Sequence, residues 1–359
     1  MTYVLLVITF LFAGINAFAD DYVQLRRDAL AEYDKGHYTR AEALIRKSLD
    51  WAQGTKDEYN EALVYSAFGD ISQAQLRLPE AEHAYKKAIL ILSQKPEYDR
   101  ALAIVWRNLA SALVSENRCD DAARAISEGQ KIAARSKTED PALNAELLNS
   151  LGVTQFCQGK LNKAEDTFLR AAAQFRVNPT TSQQADLGEV LNNLGYVYQA
   201  KRQTRKAEAA YEQSLNVSEL RFGSSHLRLA APLQNLATLY TETGDYKRAE
   251  ENFQRCLAIL EQEEPPFNEA SIMHALYGLG KLYIRQNDKK RADAPLARAA
   301  AIARKLKTPG VIPEALKVLK TYSQVLADLS SNQEAQLLQT EAKRMRATMA
   351  FTVSAPRAQ

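Results

Sequence analysis

Apolar and small residues recur along this chain in register, eight times over, at intervals of 40 to 43 residues. The clearest marker is an alanine column: Ala41, Ala81, Ala122, Ala164, Ala207, Ala249, Ala292 and Ala335. Twelve residues before each lies a second small column (Ala29, Gly69, Ala110, Gly152, Gly195, Ala237, Gly280, Ser323). Seven residues after each lies a third (Ser48, Ala88, Gly129, Ala171, Ser214, Cys256, Ala299, Ala342). Large apolar residues fill the intervals at offsets of three and four, as in Leu191, Leu194, Tyr198 and then Tyr211. That spacing puts them on one stripe of a first helix and one stripe of a second. Polar turns such as Lys35-Gly36-His37, Gln158-Gly159-Lys160, Thr243-Gly244-Asp245 and Gln286-Asn287-Asp288 separate the two helices. Gly and Asn tolerate the left-handed backbone that ends a helix. Small residues let helix axes approach to about 8–10 Å, so the pattern predicts an all-α stack of about eight helix pairs. Gly195→Leu is expected to overpack a helix crossing, and Gly195→Ala to be nearly silent because alanine fills the same column elsewhere.

The aromatic and glycine spacing narrows the class. Units two to seven follow a W-x2-L-G-x2-Y pattern and a later A-x3-F pattern, as in Trp106, Leu109 and Ala110, or Leu236, Ala237, Tyr240, Ala249 and Phe253. This resembles the tetratricopeptide repeat over residues 22 to 346. The long period, with Phe222-Gly223-Ser224-Ser225-His226 and Gln234-Asn235-Leu236-Ala237, is similar to the kinesin-light-chain type. HEAT and armadillo repeats share the length but lack this spacing. Units one and eight place Glu32 and Gln339 at apolar positions, as polar-faced caps would. The resemblance implies a right-handed α-solenoid. Prolines 96, 141, 179, 265, 266, 309 and 313 fall between units, where helices stop or restart. Pro232 would kink its helix if that helix began at Ser225, and Pro295 falls near the start of a second helix.

Residues 1 to 19 carry no charged side chain and end in Ala17-Phe18-Ala19, followed by Asp20-Asp21. This reads as a signal peptide cleaved before Asp20, and implies export to a bacterial periplasm or the exterior. The competing reading is an uncleaved membrane anchor, although Met1-Thr2-Tyr3 supplies no basic residue and Asn16 interrupts the run. Residues 20 to 346 then form one array, and 347 to 359 a frayed tail without helical pattern. The net charge of +3 is interleaved along the units, which gives no basic stripe for nucleic acid. Lys343-Arg344-Met345-Arg346 is read as cations at a helix C-terminus, and Asn216-Val217-Ser218 as a chance sequon within a helix.

No constellation for catalysis stands out. His37, His83, His226 and His274 lie in different units at different phases, without the paired spacing of a metal site. There is no phosphate loop, nucleophile elbow or H-E-x-x-H motif, so no enzyme, cofactor or metal is expected. What remains is recognition of a protein or peptide, with first helices lining a concave groove. The alternative is a structural assembly factor of an envelope or secretion complex, acting through the convex face or the edges.

Within the groove, Asn108, Asn193 and Asn235 precede the recurring leucine of three first helices, with Ser150 in the fourth unit. In related arrays such asparagines form a ladder that holds an extended backbone. Arg107, Asn149, Asn192, Gln234 and Tyr277, then Ser111, Val153, Tyr196, Thr238 and Lys281, would supply selectivity. The simpler reading is a solvated polar helix face. Cys119 at the start of one helix should face Cys157 at the end of the next, either as a disulfide or as two thiols. Cys256 stands in a small buried column and is expected to be an unreactive thiol.

Overall fold

The computed structural model describes residues 22–53, 57–135, 140–177, 181–262, 269–306 and 312–354, with no account of the side chains at 181–185 and 348–354. The expected signal segment and its cleavage site lie outside these. The described residues form sixteen α-helices in eight antiparallel pairs and no strand. The first four pairs are α1 (22–34) with α2 (Tyr38–Ala52), α3 (Glu58–Ala74) with α4 (Leu78–Leu92), α5 (Asp99–Ser115) with α6 (Cys119–Ala133), and α7 (Pro141–Cys157) with α8 (Leu161–Arg176). The last four are α9 (Thr181–Ala200) with α10 (Thr204–Phe222), α11 (Ala230–Thr243) with α12 (Tyr246–Leu260), α13 (Glu269–Arg285) with α14 (Lys289–Lys305), and α15 (Ile312–Asp328) with α16 (Asn332–Ser354). The chain divides into two compact units, one ending at Gln174 and the other beginning at Phe175. None of the described helices is long and apolar enough to cross a membrane.

Each pair turns through one residue in the left-handed region, always five positions before the marker alanine: Gly36, Leu76, Asn117, Gly159, Arg202, Gly244, Asn287 and Ser330. Glycine and asparagine adopt that backbone easily. Leu76, Arg202 and Ser330 do not, and are held there because both helices of the pair are already packed. Asp57, Asp140, Asp245 and Asp288 cap the helices that follow, each carboxylate accepting the N–H three residues on at 3.0–3.2 Å. Pro232 lies in the first turn of α11, where its missing N–H costs nothing, because a short 3-10 turn at Leu227–Leu229 precedes the helix. Pro295 sits inside α14. The helix α16 runs on to Ser354, beyond residue 346 where the repeat pattern ends.

The three small columns are buried for a common reason: each lets two helices touch. The eight marker alanines are 0–2% exposed. In the third column Ser48, Ser214 and Cys256 donate to a carbonyl of the first helix, that of Tyr22, Gly188 and Ala230, each 26 residues earlier. Burial pushes the Cys256 thiol up to about 12, so it stays protonated. At Gly195 an added Cβ would lie 2.5 Å from the Tyr211 ring, and at Gly152 2.6 Å from that of Phe168. Both rings are fully enclosed, so a methyl at Gly195 requires the Tyr211 ring to shift. Two repeats that hold alanine in this column face it with Ile45 or Ile126, and in the third, which pairs Ala237 with Phe253, the ring reaches towards Gly278.

Candidate functional site

Within each unit the first helices of successive repeats touch directly, α3 with α5 and α5 with α7, then α9 with α11 and α11 with α13. Among the described residues no two second helices are packed to a similar extent. First helices therefore form the inner layer of each unit, and their outward stripe is the candidate recognition face. On that stripe Tyr196 and Lys281, eleven residues before the marker alanine, are exposed, and Gln234, fifteen before it, is half-buried, whereas Asp70, also eleven before it, is turned onto Tyr85 and Asn108. The position 14 before it looks towards the adjacent first helix.

In the N-terminal unit this face is a bonded network. Asn108 on α5 donates to Asp70 Oδ1 on α3 at 2.9 Å and accepts from Arg107 Nε and Nη2 at 3.2 and 3.0 Å. Arg107 also forms an ion pair with Glu146 on α7. Tyr85 of α4 donates to the same Asp70 oxygen at 2.7 Å, and Gln73 donates to Ser111 at 2.8 Å. Burial raises the Asp70 carboxyl to about 6, against the pull of Tyr85, Arg107 and Asn108. Asn149 is half-buried on α7. A disulfide joins Cys119 and Cys157 with Cα atoms 5.6 Å apart, linking the third repeat to the fourth. Beside it Gln158 donates to Asp120 at 2.8 Å.

The C-terminal unit is built differently. Asn235 is only 6% exposed and donates its amide to Asn192 Oδ1 at 2.8 Å, one first helix back. It is a rung between helices, and no bound chain can reach it without displacing Asn192. Asn193, at the same register, is half-buried. Tyr196 is 44% exposed, with its ring edge-on to Tyr211 at 6.1 Å. Gln234 is half-buried and its amide makes no bond among the described residues, while Thr238 Oγ1 donates to the Gln234 carbonyl at 2.9 Å. Lys281 is exposed, its Nζ 5.7 Å from the Tyr277 ring centre.

Sequence reasoning missed a second feature of this unit, a repeated clamp on the other side of the first helices. Tyr240 donates to Glu208 at 3.0 Å and Arg248 stacks 4.1 Å from the Tyr240 ring while pairing with Glu208 at 2.8 Å. One repeat later Tyr283, Arg291 and Glu250 repeat the arrangement, with Tyr283 donating at 2.9 Å and Arg291 at 4.1 Å from the ring. Each clamp ties a first helix to the preceding second helix. The signal was present as Tyr, Arg and Glu at fixed offsets, but a contact between repeats does not show in the period of one. Among the described residues no group of three or more His, Cys, Asp or Glu side chains could hold a metal ion.

Residues 186–262 match the family model of the tetratricopeptide repeat. No curated protein is significantly similar to the chain in sequence. Among solved structures, BtubC (BKLC) from P. vanneervenii is 22% identical with a TM-score of 0.54, over 63% of this chain and 90% of that one. A Rap protein complexed with competence and sporulation factor is 12% identical with a TM-score of 0.64, over 93% of this chain and 87% of that one. A signal transduction ATPase with a tetratricopeptide repeat sensor, from Pyrococcus horikoshii, is 14% identical with a TM-score of 0.61, over 92% of this chain and 48% of that one. At these identities the likeness is one of fold.

Proposed function

We propose that this chain, a tetratricopeptide-repeat protein, is a non-enzymatic scaffold whose C-terminal unit holds an extended protein segment along the inner face of α9, α11 and α13. The observation that carries the reading is the row formed by Tyr196, Gln234, Thr238 and Lys281. It presents an exposed aromatic ring, a threonine hydroxyl and a lysine in register on successive first helices, with an amide, unbonded among the described residues, one turn earlier on α11. Amides and hydroxyls can pair with the backbone of any sequence, and exposed tyrosine adds contact area at low entropic cost. The Rap structure named above contains a bound factor, and that supports a peptide partner by analogy of fold only.

Export is part of the same proposal. The A-x-A site at residues 17–19 supports it, as does the Cys119–Cys157 disulfide, which suits an oxidising compartment. The alternative role in envelope assembly through the outer face has less behind it. Leu90, Leu169, Leu220 and Leu337 are exposed on second helices, one to a helix, and apolar residues scattered in this way are ordinary on a surface. The test is the combined variant Tyr196→Ala, Gln234→Ala and Thr238→Ala. Once a partner is in hand, its affinity should fall by about 1–3 kcal/mol with little change in melting temperature. Unchanged affinity would place the interaction elsewhere.

A further inference from the structure

The inner face of the C-terminal unit changes character along its length. Over α9 and α11 it offers the uncharged groups just described, with one exposed carboxylate, Glu189, on the earlier part of α9. Over α13 and α15 it offers cations. Tyr277 and Lys320 occupy equivalent register, fifteen residues before their marker alanines, and Lys281 stands one turn further along α13. Tyr277 and Thr321 hydroxyls lie 3.1 Å apart, which fastens the two helices together at this level. Lys281 and Lys320 are exposed and neither is ion-paired among the described residues.

The other titratable groups on this stretch do not cancel them. Lys317 pairs with Glu314 on its own helix at 2.9 Å, and that pair is internally neutral. Asp328, at the far end of α15, is committed to Lys289 at 2.9 Å. His274 is held below its ordinary pKa by burial, with Lys317 acting in the same direction and Glu314 opposing, and adds no charge at neutral pH. Three lysines against one glutamate leave a surplus of two positive charges on this part of the face. Lysines kept apart from internal carboxylates, on a face otherwise furnished with hydrogen-bonding groups, complement negative charge on whatever lies there.

We propose that the segment bound by the C-terminal unit is acidic where it crosses α13 and α15, its carboxylates against Lys281 and Lys320, while its backbone continues over α9 and α11. This rests on the inner-face reading given above and adds the charge of the partner to it. The test is fluorescence anisotropy of the full chain with three labelled peptides of equal length, alternating Glu-Gly, Lys-Gly and Ser-Gly. The Glu-Gly peptide should bind best, with affinity falling about tenfold between about 50 and 300 mM salt. Lys281→Glu with Lys320→Glu should weaken it about tenfold or more, leave the melting curve in place, and transfer preference to the Lys-Gly peptide. Glu-Gly binding that survives this charge reversal overturns the proposal. So does binding of the Ser-Gly peptide alone; if Gln234→Ala weakens that, the inner-face reading stands without the acidic preference. Failure of all three peptides counts against both.

Discussion

Asp70, Asn108, Arg107 and Glu146 bond to one another across three first helices of the N-terminal unit. On the inner face of the C-terminal unit Asn235 and Asn192 form the buried rung between α9 and α11, Thr238 donates to a carbonyl of its own helix, and the side chains of Gln234 and Lys281 bond to no neighbouring first helix among the described residues. The backbone plan is the same in both units. What differs is whether the next helix offers a group of matching charge, and that decides if a polar face is consumed in holding the array together or kept for a partner. The asparagines make the point most plainly. Asn108 and Asn235 share a register, both turn towards the adjacent first helix, and both are spent there.

The largest effect that separates the units should come from the disulfide, which only the N-terminal unit contains. Replacing Cys119 and Cys157 by serine opens a loop of 38 residues and should cost that unit about 4 kcal/mol by the chain-entropy estimate. Both tryptophans, Trp51 and Trp106, lie in the N-terminal unit, so their fluorescence reports its unfolding alone. A urea transition unchanged by the double substitution would show that the bond does not hold the third and fourth repeats together. Hydrogen exchange in α11 to α14 should stay as it was.

Next in size are the glycine crossings, which the units have in common and which should respond alike. Gly195→Leu should cost about 3 kcal/mol and Gly195→Ala about 1–2, because even one methyl meets the Tyr211 ring. Gly152→Ala, against Phe168, is the counterpart in the other unit. Circular dichroism melts should show both alanine variants lowered, and a silent pair would mean the rings can move aside.

The charged network predicts a dependence on pH that the neutral face lacks. Asp70 has a native pKa of about 6, above its ordinary 3.8, so ionising it opposes folding. Its contribution is full at low pH and is lost as the pH rises through about 6. Asp70→Asn, which can still accept from Tyr85, should therefore match wild type near pH 4 and exceed it by about 2 kcal/mol at pH 7.5. Equal stability at both pH values would mean Arg107 neutralises Asp70 in full. The smallest effect concerns the turns: Arg202→Gly should stabilise by about 1 kcal/mol, since glycine adopts the left-handed backbone without strain. A denaturation midpoint that fails to rise would show the turn is not strained.

The eight pairs, the turns marked by Gly or Asn and the three small columns were readable from residue spacing, because helix packing repeats with the chain. The conflict at Gly195 was not, since it depends on Tyr211, sixteen residues away on the partner helix, and each column was read by itself. Leu76, Arg202 and Ser330 carry no turn signal because packing on both sides overrides local preference there. The ladder was readable as a face and not as a surface: period places Asn235 on the inner side of α11, but only the spacing of α9 and α11 shows it closed against Asn192.

The central claim is that the inner face of the C-terminal unit, and not its outer face, receives the partner. The most direct measurement places a photo-crosslinking residue at Gln234 on α11 in one variant and at Leu220 on α10 in another, each expressed in the native host. Leu220 is 80% exposed and belongs to the same unit, so both probes are presented on one folded body. A discrete adduct at Gln234, absent at Leu220 and lost when Tyr196 and Thr238 are replaced by alanine, is the result this account predicts. An adduct at Leu220 with none at Gln234 would contradict it.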